Sequence, residues 1–378
     1  MHVWMIYNPV AGHRDVEAEV FKAQEHFRSL GWAVTLHRTQ AAGHARQLAQ
    51  AARDVGVDMV VAVGGDGTIG QVADGLVNGP VRMGVIPVGT GNVWAHMLGI
   101  PVWSPTNRAA IMDAARAVAE GETRHIDVGW ADGRYFLLWA GLGFDAQVAR
   151  EIEPHREMRR SLGNWAYLVT ALAQSLVMRG VRTTVVVDGR AYRHRLLMLI
   201  VSNAQLYGPN WDLAPQAQLD DGWLDVYLFK GTNTLDTFRH LFTLMTGKQK
   251  VDPQIESYRA REVSVLPDRP LPLHLDGDPS GTTPVNIRVA PRALQVVVPR
   301  WSPNALFADG GFEERADAVT LADRINIHLQ ALTRRWHVEG ERLMQQLGDH
   351  LGVVGRDDGA FTDHTASDES LQRSDQDS

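Results

Sequence analysis

The 378-residue chain has no cysteine, which excludes disulfides, thiolate nucleophiles and cysteine-ligated zinc. No apolar run approaches the ~18 residues of a membrane-spanning helix. Val3–Tyr7 already reads as a strand, which leaves no room for a secretory leader. The expectation is a cytoplasmic protein that at most rests peripherally on the inner face of a membrane. Basic residues are not in excess, with 37 Lys and Arg against 44 Asp and Glu. Residues 301–378 carry 15 acidic and 7 basic side chains, so the first 300 have a net charge of +1 and no footing for nucleic acid. Two familiar phosphate-binding signatures are missing as well. G-x-x-x-x-G-K-[ST] occurs nowhere, and no G-x-G-x-x-G is followed about twenty residues later by an acid.

The chain carries an anion site of another kind. Val57–Val63 is a nearly unbroken apolar run with the β-branched content of a strand buried on both faces. It stops at Gly64-Gly65-Asp66-Gly67-Thr68, where glycines permit backbone conformations other residues resist and let a phosphate approach N–H groups. Ile69, Val72, Ala73, Leu76 and Val77 then share one helix face, and the helix dipole points at the glycine turn. Val81–Val88, Gly89-Thr90-Gly91-Asn92 and a helix through Leu98 repeat the arrangement. Upstream, Val3–Tyr7 passes through Asn8-Pro9-Val10-Ala11-Gly12 into a helix with Val16, Val20, Ala23 and Phe27 on one side. Ala33–Thr39 is a further strand, and His44, in the first turn of the helix after it, reads as a surface or capping residue. Alternating strands and helices predict a parallel α/β sheet with ligands at the carboxyl ends of its strands, where all these loops lie. A single such loop could be an ordinary tight turn; several together, with an acid inside one, point to a nucleotide.

After a helix over Arg108–Glu120 the pattern changes. Short β segments follow at 134–139, 183–187, 196–202, 224–229, 262–266, 271–275, 285–289 and 294–298, which predicts an antiparallel β-sandwich and a cleft between the two parts. Trp165–Met178, apolar on nearly every side and preceded by the basic 155–160, reads as a core helix or as an acyl-pocket or bilayer contact. Beyond 300, Ala322, Ile325, Leu329, Leu332, Trp336, Leu343 and Leu347 form a stripe that predicts a helical extension over 301–355. Such a stripe needs burial, against a second copy in a homodimer or against the main body. Residues 356–378, with seven acids and two arginines, are expected to be disordered.

Three of these motifs resemble the diacylglycerol kinase catalytic-domain family, which includes sphingosine kinases and bacterial lipid kinases. They are Asn8-Pro9-Val10-Ala11-Gly12, the GGDGT at 64–68 and the P-x-G-T-x-N at 87–92, and the resemblance extends to about residue 300. It implies an ATP-binding α/β domain over 1–128 and a β-rich lipid-substrate domain over 129–300. The implied reaction moves a phosphoryl group from ATP, with Mg²⁺, to the hydroxyl of diacylglycerol or a related lipid alcohol, a sphingoid base included, at a membrane surface. The matching ATP contacts are Asn8, Pro9, Val10, Ala11, Gly12, Thr39, Gly64, Gly65, Asp66, Gly67, Thr68, Ile69, Gly70, Thr90 and Asn92. Asp66 would act on Mg²⁺ or the phosphates, or as a base. Asp276 and Asp278, in H-L-D-G-D where bacterial members read D-G-E, are both candidates to accept the hydroxyl proton. Asp127 matches an acid near the acceptor head group, and Gln218, Asp221 and Trp223, two of them through backbone carbonyls, match a structural Mg²⁺ site, although an Asp-Asp-Gly turn needs no metal. Val93 stands where many bacterial members carry an acid, which leaves the lipid open. Two other readings remain. NAD kinases share GGDGT, but the N-E dipeptide expected downstream is missing. A non-catalytic lipid-binding module has no need for three acids around a phosphate site.

Overall fold

The computed structural model describes residues 1–12, 15–103, 107–144, 146–147, 179–208, 211–245, 249 and 252–308. All of them lie within one compact unit, Met1–Glu313. The helix expected at 165–178, the helical extension after 308 and the acidic tail lie outside the described residues.

The chain begins as alternating strands and helices: β1 (His2–Tyr7), α1 (Glu17–Ser29), β2 (Ala33–Arg38), α2 (His44–Val55), β3 (Met59–Gly64), α3 (Asp66–Leu76), β4 (Arg82–Pro87), α4 (Val93–Leu98) and α5 (Ala110–Glu120). The four strands pair in parallel in the order β2-β1-β3-β4. Every residue of β3 is buried, as its unbroken apolar run requires. Val16, Val20, Ala23 and Phe27 are buried along α1, and Ile69, Val72, Ala73, Leu76 and Val77 along α3. The chain moves from β1 to β2 on one side and then returns to place β3 on the other. This is the switch in strand order beside which open α/β sheets bind ligands.

The second part contains β5 (Glu122–Ala131), β6 (Arg134–Phe136), β7 (Trp139–Gly143), β8 (Val181–Val187), β9 (Arg190–Ser202), β10 (Leu206–Tyr207), β11 (Trp211–Asp212), β12 (Leu224–Lys230), α6 (Thr234–Met245), β13 (Ile255–Ala260), β14 (Glu262–Pro267), β15 (Pro272–Leu275), β16 (Asp278–Thr282) and β17 (Val285–Val298). Its pairings are antiparallel, around a core that includes Phe136, Leu199, Val226, Val263 and Ile287. β9 pairs with β8 over Arg190–Leu196, then with β12 and β7 up to Ser202. Such exchange of partners is how a sandwich turns its corners. Asp132-Gly133, Asp188-Gly189 and Asp276-Gly277 all have positive φ and close two-residue hairpins, the chemistry of type I′ turns.

Four expectations need correction. The strands predicted at 285–289 and 294–298 are one strand, β17, whose register shifts between Ala290 and Leu294. Pro291 and the positive φ of Arg292 break the alternation locally while pairing with β5 continues on both sides. A boundary at 128 falls inside β5, and β17 returns to the parallel sheet through Val296 opposite Met83 of β4, so the two parts share strands. A boundary at 300 is too early. Leu306 and Phe307 are buried, Leu306 O accepts the Leu219 N–H at 2.7 Å, and Ser302 Oγ donates to Leu98 O at 2.8 Å. Finally, the predicted segments do not cover β5, β10, β11, β13, β16 or α6.

Candidate active site

The loops after β1, β3 and β4 converge at the carboxyl edge of the parallel sheet. Asn8 Nδ2 donates to Thr68 Oγ1 at 2.9 Å and ties the first loop to the first turn of α3. Gly12 has φ +77°, and a side chain there would collide with Val88 O in the third loop. A Cβ on Gly89 would likewise collide with the Gly65 backbone. The glycines at 12, 65 and 89 are therefore needed because these loops touch backbone to backbone. Thr39, half-buried at the end of β2, donates its N–H to Tyr7 O at 2.9 Å and stands beside Asn8. Thr90 is exposed on the third loop, and α3 starts after Gly65 with no side-chain cap, an arrangement that offers its first turn to an anion.

Asn92 departs from the expected ATP contact. It is 2% exposed, with left-handed φ, and its amide accepts from Gly89 N–H at 3.0 Å and donates to Gly89 O at 2.8 Å. Both ends of the amide are thus spent shaping the third loop. His44 acts as a local cap, its Nδ1 accepting the Gln40 N–H at 3.1 Å.

Asp66 Oδ1 accepts the Trp94 N–H at 3.2 Å, linking α3 to α4. The β15–β16 hairpin brings Asp276 and Asp278 to the same edge, where they line a crevice with Gly67, Gly70, Gln71 and Arg134. Their roles separate. The Asp276 carboxylate accepts three backbone N–H groups, from Leu137 at 2.8 Å, Leu138 at 2.8 Å and Trp139 at 3.0 Å. Both acids face α3: Asp276 Oδ2 lies 3.0 Å from where a Cβ on Gly70 would sit, and Asp278 Oδ1 lies 3.7 Å from where one on Gly67 would. Arg134, which the sequence did not single out, donates to Ser280 Oγ at 2.8 Å, and its Nε is buried without a hydrogen-bond partner among the described residues. Its only signal in sequence is its place after the Asp132-Gly133 turn.

The remaining two expectations fare differently from the glycine loops. Asp127 is fully buried, with Oδ2 accepting the Gly222 N–H at 2.6 Å and Oδ1 the Arg292 N–H at 2.7 Å. It has no surface to offer an acceptor; it fastens the Asp220-Asp221-Gly222 turn to the shifted part of β17. At the proposed structural metal site, Asp221 pairs with Arg259 and accepts the Trp223 N–H at 3.0 Å, while Gln218 Nε2 donates to Phe307 O at 3.2 Å. Arg261 lies over the Trp223 ring at 4.7 Å. Both Asp221 oxygens are engaged, with a guanidinium beside them, so a metal bound by the Asp221 carboxylate would have to displace Arg259. No cluster of three or more His, Asp or Glu occurs among the described residues. The phosphate edge does suit Mg²⁺ carried by a nucleotide, because that ion takes few protein carboxylates and completes its shell with phosphate oxygens and water. Asp66, in the first turn of α3, and Asp278, beside Gly67, are carboxylates at this edge.

Burial raises the carboxyl pKa of both Asp127 and Asp276 from 3.8 to about 6, against the opposing pull of their backbone donors. The folded state therefore holds these protons more tightly than the unfolded chain does. Their contribution to stability is full below about pH 4, falls as the pH rises through about 6 and is lost above it. Carbon-13 NMR of labelled aspartates should show two midpoints near 6. A midpoint near 4 for either would mean that its carboxylate is hydrated.

Comparison with known proteins agrees with this geometry. Residues 2–131 match the diacylglycerol kinase catalytic domain, and 139–298 match the YegS C-terminal NAD kinase beta sandwich-like domain. Diacylglycerol kinase of Bacillus subtilis (strain 168) is 30% identical over 299 residues, covering 78% of this chain and 96% of that protein. Diacylglycerol kinase of Staphylococcus aureus (strain MRSA252) is 28% identical over 298 residues, covering 78% and 91%. A crystal structure of a diacylglycerol kinase from Bacillus anthracis str. Sterne shares the fold at TM-score 0.60 and 20% identity, covering 80% of this chain and 98% of that one. Three convergent glycine loops, an acid-bearing hairpin folded over the first turn of α3 and similarity along most of both sequences lead to one conclusion: the chain belongs to the diacylglycerol kinase catalytic-domain family of lipid kinases.

Proposed function

We propose that the protein transfers the γ-phosphoryl group of ATP to the hydroxyl of diacylglycerol or a closely related lipid alcohol, giving phosphatidic acid or its analogue. The observation that carries this reading is the position of Asp278, a carboxylate facing Gly67 at the end of α3 where the three loops converge. Bound Mg²⁺ would offset the triphosphate charge, with Asp66 and Asp278 as its nearest carboxylates. The glycine loops cradle the phosphates through backbone N–H groups. Asp278 accepts the acceptor's hydroxyl proton, and Asp276, held by three backbone donors, fixes the turn that aims it. Arg134 carries positive charge into the same crevice, suited to the oxygens of the transferring group. The names of the relatives from Bacillus subtilis and Staphylococcus aureus support diacylglycerol as the first acceptor to test.

The test is radiolabelled ATP and Mg²⁺ with diacylglycerol, monoacylglycerol, ceramide and sphingoid bases in mixed micelles. Label should enter a lipid, diacylglycerol most strongly. With NAD added to the same mixture, label in NADP and none in lipid would overturn the proposal. Arg134→Met should lower kcat about 10-fold or more while the melting temperature changes little, since one preorganised donor to a charged transition state is lost. An unchanged kcat would confine Arg134 to its bond with Ser280.

A further inference from the structure

α6 is built inside out. Thr237, His240 and Thr243 face inward, each under 8% exposed. His240 and Thr243 make hydrogen bonds there, His240 Nε2 with Lys230 O at 2.7 Å and Thr243 Oγ1 to Asp252 Oδ2 at 3.1 Å, while His240 Nδ1 is buried without a partner among the described residues. On the outer face, Leu235 is 76%, Phe238 38% and Phe242 65% exposed. These positions are spaced i, i+3 and i+7, so they form one stripe about 10 Å long.

Beside the start of this helix lies a second feature of independent origin. On the β8–β9 hairpin Arg182 stands opposite Arg195, and Arg193 opposite Thr184, on one sheet face. Like charges directly opposed on a strand pair destabilise it. The three arginines have no carboxylate partner among the ion pairs of the described residues. The nearby acids are largely occupied. Asp236 caps the Thr232 N–H at 2.8 Å, Glu256 is shared by Lys230 and His194, and Asp252 pairs with Arg239. Asp268 is exposed, and its N–H donates to Arg182 O at 2.8 Å. The two features touch. Gly231 donates to Arg195 O at 3.0 Å, Arg195 Nη1 to Gly180 O at 3.2 Å, and a Cβ on Gly231 would lie 2.7 Å from Asp236 Cβ in the first turn of α6.

We propose that the outer face of α6 and the arginine face of the β8–β9 hairpin together form the surface by which this protein docks on a bilayer containing anionic phospholipids. The apolar stripe enters the headgroup region, and the guanidinium groups bind lipid phosphates in their planar fork geometry. Charge complementarity selects this occupant: a stripe of aromatic and leucine side chains rimmed by uncompensated arginines matches an anionic interface, whereas an apolar protein partner would leave those cations buried. The choice of a bilayer rests on the lipid-kinase reading, since an acceptor with long acyl chains must be met at a membrane.

The test is flotation of the full chain with vesicles of phosphatidylcholine alone or mixed equally with phosphatidylglycerol, without ATP or acceptor. Binding should require phosphatidylglycerol and weaken with salt. Leu235→Ser/Phe238→Ser/Phe242→Ser should reduce it at least ~10-fold, and Arg182→Glu/Arg195→Glu should reduce it similarly and remove the salt dependence. Absence of wild-type binding, or wild-type binding that both variants keep, overturns the proposal. So does a shift from dimer to monomer in the serine variant by light scattering, which would make a second copy the occupant. A lower melting temperature in that variant would mean the chain covers the stripe itself and would overturn it too. Because the assay contains no substrate, a protein that docks but phosphorylates no lipid refutes the proposed function and leaves this inference standing.

Discussion

Replacement of Asp278 by Asn is expected to lower kcat at least ~100-fold with the melting temperature nearly unchanged, the usual scale for loss of a general base. The carboxylate faces Gly67 in the crevice and makes no backbone bond that holds the fold, so the substitution removes proton acceptance and leaves the hairpin intact. Asp276→Asn should behave differently. Only one amide oxygen remains for the N–H groups of Leu137, Leu138 and Trp139, and the new NH₂ confronts at least one of them. Its melting temperature should fall, and activity should fall through misplacement of Asp278. Steady-state kinetics and thermal melts on both variants separate a base from the residue that positions it. Full kcat in the Asp278 variant would return the base role to Asp276 or Asp66.

Asp127→Ala should be the most destabilising of the acid substitutions. It strands the N–H groups of Gly222 and Arg292 in a fully buried site, at about 1–3 kcal/mol each, or about 2–6 kcal/mol together. The loss should be larger at pH 5 than at pH 8, because the wild-type contribution declines as the pH rises through the raised pKa of about 6. Denaturant melts at the two pH values measure this. If Asp127 instead met the lipid head group, the variant would stay stable and show a raised KM.

Much of the first half was legible because its determinants are short-range. A fully buried strand, a glycine turn and an amphipathic helix each declare themselves within about ten residues, and α1, β3, α3 and the loops at 8–12, 64–68 and 87–92 stand where their periodicity indicated. The three Asp-Gly hairpins are equally local, each set by two adjacent residues that tolerate positive φ. The misreadings concern contacts over long sequence separations. Asp127 and Arg292 are 165 residues apart, and their meeting gives the buried acid one of its two backbone donors at the register shift in β17. Leu306 and Phe307 look like the start of a tail until they are seen packed on the main body.

The sequence by itself determined the α/β start, the phosphate-facing loops and the set of acids, because these depend on residue type and spacing along a few turns of chain. Tertiary structure alone decided which partners each acid meets. Asp276 and Asp278 are two positions apart and both approach α3, yet the turn between them gives the first three backbone donors that the second does not share. A carboxylate's role follows from the donors and solvent around it, and those come from segments the local sequence does not contain.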